Sequence, residues 1–125
     1  MEDNKKIKIQ IKSVFGDVLF EYEKENNTIK DTVEEAARRR IPLNRASLNG
    51  ASLYGANLDG ANLDGSSLDG ASLNRASLYG ASLNGASLYV ANLDGAKNIP
   101  YVPLVCPSDG AFVGWKKVIN RFIIY

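Results

Sequence analysis

The chain has 125 residues, enough for one domain with caps, and its 15 Lys+Arg against 14 Asp+Glu leave a formal net charge of +1. That balance supplies no large single-sign field to draw in nucleic acid or a membrane surface. A single cysteine rules out an internal disulfide, and the lack of histidine removes the usual metal-site spacing and every Ser-His or Cys-His catalytic pair.

The chain begins MEDNKKIKIQIK, with lysine interleaved with isoleucine, which is not a signal peptide. No apolar run is long enough to span a bilayer, so a cytoplasmic protein is expected. Residues 6–23 read as a β-hairpin: Ile7, Ile9, Ile11 and Phe15 alternate with polar residues, and Gly16-Asp17 forms a two-residue turn with glycine first. Closure on that turn pairs Phe15 with Val18, Ser13 with Phe20 and Ile11 with Tyr22, leaving one face apolar throughout. Asn26-Asn27 breaks the strand, and Thr28 or Asp31 caps a short helix reaching about Arg39. Its buried side is expected at Ile29, Val33, Ala36 and Ala37. Glu34 and Glu35 fall early and Arg38–Arg40 late, as the helix dipole favours.

From Leu43 to Gly95 one pentapeptide repeats, with leucine at 43, 48, 53 and every fifth position to 93. Alanine stands two residues before each leucine from Ala46 on, with Ser66 the one exception. A period of five fits neither regular element. Five residues turn a helix by about 500°, so successive leucines would spiral round its outside. On a straight strand an odd spacing sends them to opposite faces. The chain must therefore change direction in every repeat. Leu-x-Gly-Ala supplies the corner, a four-residue turn with glycine third, where a type II turn needs φ > 0. Alanine and leucine then point inward. Arg45, Arg75 and Val90 replace the corner glycine, and those corners are expected to use a turn without positive φ, because a β-branched residue is strained there. Ser66 buries a hydroxyl that should find a carbonyl.

The repeat resembles the pentapeptide-repeat family, whose unit is A-(D/N/S)-L-x-x, over eleven consecutive units. The resemblance implies an all-β solenoid, a right-handed quadrilateral β-helix with four pentapeptides per coil. Eleven units then make roughly 2.75 coils, on the order of 13 Å tall at the spacing of paired strands. Residues 20 apart would stack, so that Leu43/63/83, Leu48/68/88, Leu53/73/93 and Leu58/78 form interior ladders. A solenoid cannot leave its first coil open to water. Residues 1–27 are therefore expected to be an N-terminal hairpin cap, 28–40 a capping helix, 41–98 the β-helix and 99–125 a C-terminal β-hairpin extension. The G-D-V-L-F-E-Y and N-T-I-K-D-T-V-E-E-A segments also look like the N-terminal region of short phage and bacterial pentapeptide-repeat proteins of unassigned function.

After Gly95 the pattern fails, and Pro100, Pro103 and Pro107 carry the chain off the repeat. The segment from Cys106 resembles a C-P-x-x-G-x-F-x-x-W-K stretch that follows the repeats in phage-type relatives. It runs into an apolar strand, Phe122-Ile123-Ile124-Tyr125. Such an edge must be covered by the chain itself, a second copy or another protein. Trp115, Phe122, Ile123, Ile124 and Tyr125 are the candidate interface.

Other residues invite sharper readings and support plainer ones. In the columns that follow each leucine, no two of Asp59, Asp64, Asp69 and Asp94 are vertical neighbours, so they read as solvated turn residues rather than a carboxylate pair or calcium cluster. Cys106 reads as a small apolar cap residue, since nothing near it in sequence would depress its pKa. Arg38–Arg40 with Arg45 could meet phosphate, but a helix C-terminus accounts for the run. The Ser47/Ser67/Ser87 column suits ladder chemistry. Tyr54, Tyr79 and Tyr89 fall on three different sides, which disfavours a stacking platform for bases. The expectation is a non-enzymatic structural or protein-interaction module, with no catalytic residue, cofactor, metal, small-molecule substrate or membrane partner. It would associate through its C-terminal end with a protein partner or with a second copy as a homodimer. Two alternatives stand beside it. Some pentapeptide-repeat proteins mimic DNA and act on gyrase, but they have long acidic towers, and this one carries a balance of −2 with two positive and four negative residues over 41–95. The regular repeats also fit an engineered or truncated scaffold.

Overall fold

A computed structural model describes residues 5–100. Two antiparallel strands, β1 (Lys6–Lys12) and β2 (Val18–Glu25), open the chain. Their register corrects the expected hairpin. Ile11 pairs with Phe20 and Ile9 with Tyr22, with a bulge between Ile11 and Lys12 that sets Lys12 opposite Val18. The loop is longer than two residues because the Ser13 N–H donates to the Asp17 carbonyl (2.7 Å) and the Gly16 N–H to the Ser13 carbonyl (2.9 Å). Glycine at φ 97° then closes a three-residue loop. The Ser13 hydroxyl oxygen accepts from the Phe15 and Asp17 amides. Ser13 is also committed elsewhere: it bridges Ala46 of the repeat instead of pairing with Phe20. The slip is two residues, so the faces are unchanged, and Ile11 and Phe20 are buried while Phe15 is left 72% exposed.

The helix α1 (Ile29–Arg38) follows, with Thr28 as N-cap accepting from the Asp31 amide at 3.0 Å. Val33, Ala36 and Ala37 are buried as the pattern predicts, while Ile29 at the first turn is only partly buried and Thr32 takes a buried place instead. A polar residue is tolerated there because its hydroxyl donates to the Thr28 carbonyl and to Asn27 Oδ1. Asn27 Nδ2 in turn donates to the Ile7 and Tyr22 carbonyls, tying the helix start to both strands.

From residue 43 the backbone winds so that residues 20 apart meet. Parallel bridges join Ser47 to Ser67, Ser52 to Ser72, Asn57 to Ser77, and so on to Ser77 with Lys97. Five-residue units paired at a 20-residue interval make four units per turn. From Leu43 to Leu78 each leucine amide bonds upward, as from Leu53 to the Ser72 carbonyl (2.8 Å). Amides preceding a leucine bond downward, as from Ser72 to the Ala51 carbonyl (2.9 Å). Corners close by the alanine amide reaching the leucine carbonyl three residues back, for example Ala56 to Leu53 at 3.0 Å. All eleven leucines are buried. At roughly 1.5–3 kcal/mol each they supply most of the apolar stabilisation. Ser66 is buried and donates to the Leu63 carbonyl at 2.7 Å, as the sequence predicts.

The glycine-free corners overturn the second expectation. Arg45, Arg75 and Val90 sit at φ 63°, 61° and 50°, in the left-handed region with the glycines. For the two arginines the neighbouring coil sets the conformation. The Arg45 amide donates to the Asp64 carbonyl (2.7 Å) and that of Arg75 to the Asp94 carbonyl (2.8 Å), bonds that a different turn would break. Strain of about 1–2 kcal/mol per L-residue is less than the loss of ladder bonds around a corner. Arg40 adopts the same conformation (φ 61°), so the corner pattern begins at the helix C-terminus.

The core is continuous from hairpin to tower: Ile11, Phe20, Val33, Ala36 and Ala37 belong to one buried cluster with the leucines and alanines of the coils.

Candidate functional site

The sequence points to Trp115, Phe122, Ile123, Ile124 and Tyr125, all of which lie outside the described residues, as do Cys106 and most of the 99–125 extension. What can be built from side chains is the tower's wall and its junction with the helix.

Along the wall, four of the residues that follow a leucine, Asn49, Asp59, Asp64 and Asp69, reach the coil above. Asp59 Oδ1 accepts from the Ser77 hydroxyl (2.5 Å) and the Tyr79 amide (3.0 Å). Asp64 does the same with Ser82 and the Asn84 amide, and Asp69 with Ser87 and the Tyr89 amide. Asn49 accepts from the Ser67 hydroxyl. These aspartates are thus inter-coil straps as well as turn residues. Their signal is present in the sequence as Asp or Asn followed 18 residues later by Ser, a spacing that has meaning only once the coil length is known. Three tyrosines project between them, with Tyr54 and Tyr79 exposed by 52% and 69% and Tyr89 by 37%.

At the tower base, the Glu34 carboxylate accepts from the Asn57 amide at 2.7 Å. A cleft of about 510 Å³ lies beside this contact, lined by Tyr22, Lys24, Asp31, Glu34, Arg38, Arg40, Asn57 and Asp59 among others. Its charges are largely spoken for. Lys24 pairs with Asp31 at 3.3 Å, and Glu35 holds both Arg38 and Arg39. The hydrogen bond from Arg38 is the main cause that lowers the Glu35 carboxyl below its ordinary value, and the same bond raises Arg38. The arginine run does not converge on one point. Arg39 lies over the Phe20 and Tyr22 rings at 5.7 and 5.5 Å, Arg45 lies over Phe15 at 5.7 Å, and Arg40 reaches toward Gly60. Arg38 and Arg40 both border the cleft, but Arg38 and Arg39 are held by Glu35, and Arg39 and Arg45 lie over aromatic rings.

Among the described residues, no group of three His, Cys, Asp or Glu side chains could hold a metal ion. No helix there is long and apolar enough to cross a membrane. The family model for pentapeptide repeats matches residues 43–70 and 71–97, in eight copies. No curated protein matches the chain significantly.

Proposed function

Residues 43–97 make this chain a pentapeptide-repeat protein, and from that premise we propose that it is a non-enzymatic protein-interaction module, a right-handed four-sided tower that holds its ends in a fixed relation. One observation carries the reading. Three of the wall's four acidic side chains are committed to stacking, Asp59, Asp64 and Asp69 each holding a serine hydroxyl and a backbone amide of the next coil. Groups used in this way build a scaffold.

In this reading the hairpin and α1 close the lower end and the opposite end makes the contact. A coil offers its upper neighbour a row of backbone donors and acceptors and an apolar interior, and both need covering. The sequence beyond residue 100 supplies Trp115, Phe122, Ile123, Ile124 and Tyr125 for that purpose. The partner is a protein or a second copy of this chain.

Light scattering across a hundredfold concentration range tests the proposal, with and without Phe122→Glu and Ile124→Glu. A dimer lost in the variants, or capture of a partner protein that both variants abolish, supports it. Unchanged mass and unchanged capture would count against it.

A further inference from the structure

We propose that the outer edge of β2 is a docking site for an extended basic segment of another protein, taken up as a third strand of the N-terminal sheet. Among the described residues the sheet has two strands, and nothing pairs with the side of β2 that faces away from β1. The outer edge of β1 is in use at its C-terminal end, where the Lys12 carbonyl accepts from the Ser47 amide at 2.7 Å and Ser13 bridges Ala46, and the rest of that edge carries Lys6 and Lys8.

The direction of the backbone groups on β2 follows from one bond. The Asn26 amide donates to the Lys5 carbonyl at 3.0 Å. Antiparallel partners alternate between pairs that exchange hydrogen bonds and pairs that do not. Counting in twos from Lys5 and Asn26 makes Ile7–Lys24 and Ile9–Tyr22 exchanging pairs. The amides and carbonyls of Glu21, Glu23 and Glu25 therefore face outward, available to a further strand.

Charge identifies the occupant. Glu21, Glu23 and Glu25 form an exposed acidic row on one face of β2. Glu21 accepts from Gln10 at 2.8 Å. Lys8 and Lys6 stand opposite Glu23 and Glu25 in the register, but the ion pairs among the described residues belong to Lys24, Arg38 and Arg39. Glu23 and Glu25 thus make no close ion pair among the described residues, with Lys8 and Lys6 as their cross-strand neighbours on one side only. A strand laid beside β2 brings its side chains within about 5 Å of this row, where Lys or Arg at alternate positions is favoured and Glu or Asp repelled. Its other face continues the apolar surface of Phe20 and Tyr22, so the intervening residues should be apolar. On its inner side β2 already accepts such a strand, KIKIQIK. A second copy's β2 would set glutamate against glutamate, so symmetric edge pairing is disfavoured.

The test is a titration of the full chain with the acetylated, amidated peptide KIKIQIK and with its acidic counterpart EIEIQIE, followed by amide chemical shifts. Saturable binding of the basic peptide is expected, with shifts centred on residues 18–25, weakening at high salt, and none for the acidic one. The triple variant Glu21→Gln, Glu23→Gln, Glu25→Gln should lose roughly tenfold in affinity. Glu23→Pro, which removes one outward amide while keeping two carboxylates, should lose about as much. Should Glu23→Pro disturb the hairpin, the glutamine variant alone decides. Absence of saturable binding, equal binding of both peptides, or shifts that map away from β2 would overturn the proposal. So would unchanged affinity in the glutamine variant, or a chain dimer that Glu23→Pro abolishes, which would assign the edge to a second copy.

Discussion

The Glu34 carboxylate stands 2.7 Å from the Asn57 amide, in the place where, one coil higher in the same column, the Ala56 carbonyl receives the Ser77 amide at 2.9 Å. A side chain of the helix thus stands in for the backbone of a missing coil. Glu34→Ala should cost on the order of 1–2 kcal/mol, since it strands an amide that faces the helix. Glu34→Gln, which keeps an acceptor, should cost less. Denaturant melts measure the cost, and hydrogen exchange at Asn57 should quicken in the alanine variant.

Corner columns carry a steric rule as well as a conformational one. A Cβ on Gly65 would lie 3.3 Å from Arg45 Cγ, whereas one on Gly70 would meet nothing closer than 3.9 Å. Both glycines have positive φ, so both Gly65→Ala and Gly70→Ala should destabilise, Gly65→Ala by roughly 1 kcal/mol more. Adding Arg45→Ala should erase the difference. Val90→Gly should stabilise by about 0.5–1 kcal/mol, the strain relieved less the added freedom of the unfolded chain. Thermal unfolding of the variants decides.

The straps between coils should show as coupling. In a double-mutant cycle of Asp69→Ala with Ser87→Ala, an interaction energy of about 0.5–1.5 kcal/mol is expected. The pair Asn44 and Ser87, which share no bond, should give a value near zero.

Glu35 makes stability fall in acid. Its carboxyl is lowered from 4.5 in the folded chain, first by the hydrogen bond from Arg38. A depressed carboxyl contributes stability that is fully present above the unfolded value and is lost as pH falls through the folded one. The decline should therefore begin near pH 4.5 and continue below it, and Glu35→Gln should flatten that part of a stability–pH curve. Because the arginines are exposed, salt should reduce the effect.

How much of this could be read from the sequence differs by element. The leucine ladder was legible because one residue type recurs at an interval that no straight element can bury. The helix was legible from the Val33–Ala37 spacing, with Thr28 or Asp31 open as its cap until the structure gave Thr28. The hairpin register was not, since Ser13 chooses Ala46 over Phe20, and nothing local announces a partner 33 residues away. Arg75 misled for a related reason: its own φ preference opposes the corner, but an amide bonded to Asp94 in the next coil holds it there. The straps needed the coil length first. As for the candidate interface at Trp115 and Phe122–Tyr125, it rests on sequence and lies outside the described residues.

The 20-residue pairing interval gives the chain two distinct reading frames. Removing one pentapeptide would keep leucine and alanine inside, yet every later residue would move a quarter turn to a neighbouring wall, and a cut between Asp69 and Ser87 would set Asn92 where Asp69 now meets that serine. Removing four pentapeptides would restore both. Insertions and deletions in such a tower should therefore be graded, tolerated for folding in steps of five and for the pattern of its outer walls only in steps of twenty.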